Sequence, residues 1–536
     1  MVGILSHSKI MEASAAARLV AEGATVAIGA SSGISLPDAT MAAIGERFDR
    51  TGAPGNLTAI FPINLGDMFG QAGIDHLARP GMLACMIGGS YPSGPSAAEP
   101  PAARQRIGEN TVRAFNYPIG HISAMLSESA AKGVGFITET GIGTFIDPRH
   151  GGGGLNPVSR ADPFVKLIEF GGRPALYYPA VKVDVAIVRA TSADENGNLT
   201  FEEEAAVVSP FTLAAAARTN GGKVIAQVKR IRPAGTLDPR AVKVPGYMVD
   251  AVVVAPGQQQ ATLTAYHAAL SGQDRIDPAE LPPIEDPVEA FLTRRVAAEL
   301  HQGDVAVLGY GVCANIPTLL AGTGELDAVS FVIEQGAVGG IPLNGFRFGC
   351  AYNAAAYLDT RLGFDYLRGG GFDIALMSFL QIDAGGNINV SALPARPHIT
   401  AGIGGFMDIA YNAPRLVFAG QLRGGGSDIA ITPQGLAIGR EGKHAKIVER
   451  VDEVTVPGDI LRRPGRSVRV VTERCTFELT PAGLRLVEVV PGVSPAEIAA
   501  LCTAPFTIAD QLAVMPTAMF SAGHGPLVQP ARQGDL

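Results

Sequence analysis

The sequence predicts an α/β protein made of two homologous open α/β domains in one chain, and three observations carry that prediction. The first is a repeat. "EGATVAIGASSGISLPDATMAAI" from Glu22 and "QGDVAVLGYGVCANIPTLLAGT" from Gln302 align Gly23, Gly29 and Pro37 with Gly303, Gly309 and Pro317, each pair 280 residues apart. Both stretches read as a short apolar strand, a Gly-containing turn, and a helix with proline in its first turn, where a missing N–H leaves nothing unpaired. The second observation is a longer repeat, "VDVAIVRATSADENGNLTF" from Val183 and "FDIALMSFLQIDAGGNINV" from Phe372. Each places a Gly-Asn turn thirteen residues after an Asp, Asp184 to Gly197 and Asp373 to Gly386, as a buried strand followed by a hairpin-type turn would. Third, the apolar runs "VAVLG", "VSFVIE", "IALMSFL" and "RLVFAG" are short and not strictly alternating. Strands buried on both faces under helices have that pattern.

The two repeat pairs have different offsets, 280 and 189, so the first half must hold extra residues between its two repeat elements, and residues 50–160 contain them. "SGQDRIDPAELPPIEDPVEA", residues 271–290, is rich in proline and acid without periodic apolar spacing, which marks an exposed connector. The domain reading is therefore a first half over 1–274, a linker over 275–289 and a second half over 290–536. The N-terminal "MVGILSHSKIMEASAAARL" reads as a strand-like stub and an amphipathic helix without a cleavage signal.

Composition narrows the function classes. Hydrophobic residues make up 47% and charged residues 17%, with 66 Gly and 38 Pro, which fits a well-buried enzyme with many tight turns. A net charge of −8 without clustered Lys and Arg speaks against a phosphate-backbone footprint; "KRIRP" and "LRRPGRSVRV" are short and read as solvated faces or strand edges. No run of eighteen apolar residues occurs, and the expected location is the cytoplasm. Five cysteines form no CxxC pair and nine histidines no HxxxH or HExxH, so no metal is expected.

The charge that stands out is Glu334 in "FVIEQGAVGGIPLNGFRFG", 331–349. Residues 327–333 read as a central strand, with Glu334 at its carboxyl end, the usual ligand edge of an open α/β sheet. Gly336, Gly339 and Gly340 would let backbone approach a bound molecule closely. Position alone leaves three roles open: ion-pair partner, with Arg347 the candidate cation, general base, or nucleophile.

"EQGAVGGIP" is similar to the E-x-G-x-x-G-G pattern of the family I coenzyme A transferases, and "NGFRFGCAYNAAAYLDT" resembles the block that follows it in their single-chain acetate/propionate members. The likeness continues, in family order, through "TFIDPRHGGGGLN", "VDVAIVRATSADENGNLTFEEEA", "GGGFDIALMSFLQIDAGGNINV" and "AGIGGFMDIAYNAPRLVFAGQLRGGG", and spans roughly residues 10 to 515. The resemblance implies two fused halves of the NagB/RpiA-like kind with the active site at the domain interface. It implies coenzyme A transfer from an acyl-CoA to a free carboxylic acid, with Glu334 as the nucleophile that forms an anhydride and then a glutamyl-CoA thioester. It further implies an oxyanion and coenzyme A loop at Gly402, Gly404 and Gly405, with Gly405 or Gly404 the preferred donor, and a first-half loop "GASSGISLP" facing the site with Gly29, Ser31 and Ser32. Those serines either assist the carboxylate substrate or cap the following helix. Coenzyme A would enter as substrate and covalent intermediate with no tightly bound cofactor, and the chain would form a homo-oligomer, dimer or tetramer.

One position departs from the family. Where relatives read Asn-x-Pro-Gln-Gly, this chain reads "FNYPIGHIS", with Ile119 in place of the amide and His121 two residues on. An apolar corner cannot hydrogen-bond a carboxylate, so the alternatives are an acyl-CoA or carbon–carbon bond hydrolase with Glu334 as general base, and a non-catalytic coenzyme A-binding relative. "HGGGG", 150–154, lacks the strand, helix and Lys of a P-loop and reads as a mobile surface loop. "GREGKHAKIVERVDEVTV" reads as exposed, and Cys350 as a core thiol.

Overall fold

The computed structural model describes residues 8–93, 100–394, 402–520 and 526–532; the first seven residues of the N-terminal stub lie outside them. The chain divides into two compact units. The first comprises Met1–Asp274, Tyr357–Phe364 and His398–Gly405; the second comprises Arg275–Ala356, Asp365–Pro397 and Phe406–Leu536.

The sheet of the first unit has seven parallel strands, β1 (Thr25–Ile28), β2 (Leu57–Phe61), β3 (Leu83–Gly88), β4 (Arg113–Asn116), β5 (Val185–Asp194), β6 (Lys223–Arg232) and β7 (Ala251–Val254), and a short eighth, Leu199–Thr200, that returns antiparallel on β5. The order of the seven is β7-β6-β5-β1-β2-β3-β4, and every neighbouring pair among them is parallel. All ten residues of β5 are buried, as a parallel strand covered on both faces requires. The surplus residues 50–160 supply β2, β3 and β4, which extend the sheet on one side of β1. Helix α1 (Asp38–Thr51) follows β1, with Pro37 at its N-cap and Gly52 in the left-handed region at its end. Helices α2 (Ile119–Ala131) and α3 (Pro210–Thr219) complete the main helical cover.

In the second unit β8 (Val305–Leu308), β9 (Ser330–Val332), β10 (Ile374–Ser378), β11 (Arg415–Ala419) and β12 (Ser467–Val471) are parallel in the order β9-β8-β10-β11-β12. Two antiparallel strands follow, β13 (Cys475–Thr480) and β14 (Gly483–Val489), and then β15 (Thr507–Val514) parallel to β14. The strand expected over 327–333 is shorter than that and lies at the margin of the parallel array, because the chain turns back at once through an antiparallel pairing of Val332 with Val338. Within the predicted connector, Asp286 caps helix α4 (Pro287–Ala297) by accepting from the Val288 and Glu289 N–H groups. Helix α5 (Ile316–Thr323) carries Pro317 in its first turn.

The sequence repeat is a repeat of hydrogen bonds. The Asp184 carboxylate accepts from the Thr25 N–H at 3.0 Å, and Asp373 accepts from the Val305 N–H at 2.7 Å, so each aspartate ties the start of its unit's first strand to its neighbour. At the other end, Gly29 N–H donates to Ile187 O and Gly309 N–H to Leu376 O. In the Gly-Asn turns, Asp194 accepts from both the backbone and the amide of Asn198, and Asp383 does the same with Asn387. A charged acceptor of this kind contributes about 1–3 kcal/mol. Asp373→Ala is therefore expected to lower the urea midpoint of the second unit's unfolding, with an unchanged midpoint refuting the anchoring role.

Candidate active site

Glu334 sits at the tip of a two-strand turn in the second unit. Ile333 N–H donates to Ala337 O at 3.1 Å, Gly336 N–H returns to Ile333 O at 2.9 Å, and Gly339 N–H reaches Phe331 O at 2.7 Å. Gly336 closes the turn at φ +106°, a conformation that glycine adopts without penalty. The carboxylate is half-buried, at the carboxyl end of β9, and its Oε1 accepts from the Gln335 amide at 3.2 Å; the Gln335 side chain itself is buried. Gly339 and Gly340 do admit a close approach, but by the chain's own backbone. A Cβ on Gly340 would stand 2.3 Å from Tyr352 O, and one on Gly339 would meet Ala355 at 3.2 Å. Arg347 donates to the Tyr352 hydroxyl at 3.0 Å and lies over that ring. Burial pushes the Cys350 thiol up to about 12, which fits a core sulfur rather than a reactive one.

The glycine loop that sequence placed in the second half belongs to the first unit. Its anchor is Asn116, at the end of β4 and fully buried. The Asn116 amide donates to Gly88 O at 3.0 Å and Gly89 O at 2.6 Å, while its Oδ1 accepts from the Ile403 N–H at 3.0 Å. Gly404 N–H donates to Gly89 O at 3.0 Å, and Ile119 N–H donates to Gly404 O at 3.1 Å. The Gly404 N–H expected to face an oxyanion is thus committed to a backbone carbonyl. Gly402, at φ +129°, has no room for a side chain: a Cβ would lie 2.7 Å from Asn116 Oδ1.

Chain direction across the first sheet reverses at β1, because β2 to β4 extend to one side and β5 to β7 to the other. The crevice beyond the carboxyl ends of two such strands is where open α/β sheets hold ligands. Gly29, Ser31 and Ser32 occupy that position. Gly29 packs so tightly that a Cβ would stand 2.7 Å from Val208 O. Ser31 is buried and Ser32, at φ +53°, takes a hydrogen bond on its Oγ from the Asn64 amide at 3.2 Å; neither caps α1.

A buried ion pair lies in the same unit and was not singled out from the sequence. Arg189 on β5 meets Glu204 at 2.9 Å with both side chains at most 2% exposed. Ser35 Oγ bridges Glu204 (3.0 Å) and Ala206 O (2.9 Å), and Arg189 also donates to Leu36 O, so the pair stitches the loop after β1 to β5. The signal was an arginine inside an otherwise apolar run, "VAIVRATSAD", with "FEEEA" shortly after it.

Ile119 opens α2 and is wholly buried, its Cγ1 2.9 Å from where a Gly89 Cβ would stand. His121 shares a hydrogen bond of 3.0 Å with the Tyr178 hydroxyl and packs edge-on against that ring. "HGGGG" is not a mobile surface loop. Gly152, Gly153 and Gly154 are buried, Gly153 O accepts from the Asn116 N–H at 2.8 Å, and a Cβ on Gly153 would strike the Tyr117 ring. The glycines are there to let that loop pack against the end of β4. The basic "LRRPGRSVRV" stretch is likewise not wholly solvated, since Arg466 donates to the carbonyls of Tyr411 and Ala413. Within the 439–456 stretch Lys446 is enclosed, its Nζ 3.9 Å from the Phe379 ring centre, and burial pushes its ammonium down to about 8. Among the described residues no helix is long and apolar enough to cross a membrane, and no group of three or more His, Cys, Asp or Glu is placed to hold a metal.

Two parallel-sheet units with mirrored strand anchors, and a glutamate turn at the carboxyl edge of one of them, define an α/β group-transfer scaffold. The comparisons make the class specific. The family model described as coenzyme A transferase matches residues 9–255. The chain is 35% identical over 486 residues to the acetate CoA-transferase YdiF of Escherichia coli K12, covering 90% of each chain. It is 34% identical over 495 residues to the caffeate CoA-transferase of Acetobacterium woodii, covering 91% of this chain and 92% of that one. The crystal structure of the acyl-CoA transferase YdiF apoenzyme from Escherichia coli O157:H7 superposes with a TM-score of 0.89 at 32% identity, over 98% of this chain and 99% of that one. A structure of the same enzyme described as a thioester complex with CoA superposes at 0.88 with 31% identity, over 98% of each chain. The chain belongs to the family I coenzyme A transferases.

Two outcomes follow from the site's packing. Asn116→Ala leaves the Ile403 N–H buried without its partner and takes one of two donors from each of Gly88 O and Gly89 O, which keep the Tyr117 and Gly404 N–H groups. It is expected to lower stability by about 1–3 kcal/mol, read as a fall in thermal midpoint, and an unchanged midpoint would show that the loop is held by other means. Iodoacetamide at about pH 8 is expected to leave Cys350 unmodified in the native protein and to label it after unfolding, as peptide mapping would show; fast native labelling would overturn its assignment as an inert core thiol.

Proposed function

We propose that the protein transfers coenzyme A from an acyl-CoA to a free carboxylic acid by a ping-pong route through Glu334. The observation that carries this reading is the position of Glu334, on a glycine-closed turn at the carboxyl edge of β9 within the family motif "EQGAVGGIP". A Glu334 oxygen attacks the thioester carbonyl carbon, the C–S bond breaks, and coenzyme A leaves as thiolate from an acyl-glutamyl anhydride. The thiolate then attacks the glutamyl carbonyl, releasing the first carboxylate and leaving glutamyl-CoA. The incoming acid reverses both steps, so electrons and atoms balance without a redox partner or metal. A carboxylate is a modest nucleophile, and its rate depends on positioning and on donors aimed at the developing oxyanion.

Within this reading Gly402 and Gly405 keep the oxyanion and coenzyme A role that family likeness gave the loop, and Gly404 serves to anchor it. Gly29, Ser31 and Ser32 shape the first unit's ligand crevice, while Gly336 sets the direction of the glutamate and Gly339 and Gly340 hold its turn against 352–355. Ile119 supplies an apolar wall where relatives have an amide, which favours acids with an apolar portion. The acyl group of the donor thioester and the acceptor acid are small organic acids of the kind named for the relatives, acetate and caffeate among them, and the working form is a homo-oligomer, dimer or tetramer.

A hydrolase with Glu334 as general base is the second reading, and the loss of an amide at Ile119 is what favours it. Intact mass after brief mixing with acetyl-CoA, borohydride trapping and peptide mapping separate the two. Transfer predicts an adduct on Glu334, loss of at least about 1000-fold in exchange for Glu334→Ala with the fold retained, and no thiol release without an acceptor acid. Thiol release that is independent of acceptor, with no trapped adduct, would establish hydrolysis instead.

A further inference from the structure

The second unit holds a cavity of 610 Å³ at the amino-terminal ends of β10, β11 and β12, lined there by Ile374, Arg415 and Ser467. Glu334 follows the carboxyl end of β9, so strands of three to five residues, about 10–16 Å, separate the two edges. Open α/β sheets react at their carboxyl edge, and this cavity is therefore not the transfer site.

Four guanidinium groups line it, those of Arg295, Arg415, Arg469 and Arg532. Three carboxylates answer them. Glu299 pairs with Arg295 at 2.7 Å and Arg469 at 3.1 Å, Glu488 with Arg295 at 2.7 Å, and Asp304 with Arg415 at 2.9 Å. Arg532 makes no ion pair among the described residues, and Arg469 is 39% exposed. His301, also in the lining, has its Nδ1 3.1 Å from Arg415 Nη2. Burial, then the Arg415 and Arg532 charges, push its imidazolium below the ordinary range against the opposing pull of Asp304 and Glu299, so His301 is neutral near pH 7. Among the described residues one positive charge is left over in a partly desolvated concavity, which concentrates anions. Arginine forks bind carboxylate and phosphate oxygens in pairs. Met515, Met519 and Leu527 add apolar surface to the lining, and the volume lies in the range of small organic ligands rather than of a bare inorganic ion.

We propose that this cavity binds a small organic anion, its phosphate or carboxylate head held by Arg469 and Arg532 and its apolar body against Met515, Met519 and Leu527, at the sheet edge opposite Glu334. The site is separate from acyl transfer and gives the enzyme a place for an anionic effector.

Calorimetric titration of the full chain at low ionic strength, with AMP and with citrate as probes, tests this. Binding with Kd under about 1 mM for at least one probe, weakening as salt rises, is expected. In the Arg469→Gln, Arg532→Gln double variant the affinity is expected to fall at least about tenfold, while acyl exchange without added anion stays at the parent level. Tighter AMP binding identifies a phosphate head and tighter citrate binding a carboxylate head. Glu334→Ala should leave the affinity unchanged, so that loss of transfer and loss of this site are told apart. No heat from either probe up to about 10 mM, or full affinity retained in the double variant, would overturn the proposal.

Discussion

A parallel strand must be covered on both faces and paired on both edges, and in each unit that demand falls hardest on the first strand. β1 is flanked by β2 and β5, and β8 by β9 and β10, each pair running in the same direction. Strands sent to both sides of the first strand force the chain to reverse its progress across the sheet there. The reversal opens a crevice at the carboxyl ends, and both candidate ligand loops grow from it: the serine loop after β1, and the Glu334 turn after β9. The aspartates at 184 and 373 fix the other end of the same strands, so each first strand is pinned at its start by a carboxylate and at its finish by a glycine N–H. Site and scaffold are thus parts of one arrangement, and the repeated spacing in the sequence records it.

Much of this was legible because it is local. Strand, Gly turn and Pro-started helix occupy contiguous residues, and Asp to Gly-Asn spacing within thirteen residues reflects one strand and its return. What was not legible is what the chain assembles from distant pieces. Nothing in "HGGGG" says that Tyr117 will press on Gly153, so glycines needed for tight packing looked like glycines of a loose loop. Nothing in "AGIGGFMD" says that Asn116, some 287 residues earlier, will hold Ile403, which is why an N–H expected to be offered to substrate turned out to be used by the fold. The Glu334 strand is internal to its sheet, as its apolar run suggests, but nothing in that run says that its second neighbour is the antiparallel return at Val338, where the parallel array ends.

Charge is deployed unevenly over the molecule. In the first unit a buried Arg189–Glu204 pair and the Asn116 amide consume their polarity inside the protein, joining loops to strand ends. Such pairs add little net stability relative to an apolar core, but they fix one geometry, since breaking either member leaves a desolvated charge. In the second unit the polarity at the amino edge of the sheet is only partly consumed. The contrast between a closed network and one with a spare cation is physical, and it requires no knowledge of the reaction.

The first unit is not a continuous piece of chain. Tyr357–Phe364 belongs to it, with the Thr360 N–H and hydroxyl on Val207 O and Arg361 on the Ser127 hydroxyl, and so does the loop whose Ile403 completes Asn116. Cutting the polypeptide after Asp274 would consequently yield an amino-terminal fragment with a vacant acceptor at Asn116 and no glycine loop, and a carboxy-terminal fragment bearing two insertions without a home. Covalent fusion of the halves is more than a tether here: the first unit is finished by residues that only the full-length ribbon delivers, so gene-splitting or domain-shuffling experiments have to move those two insertions along with the unit that they complete.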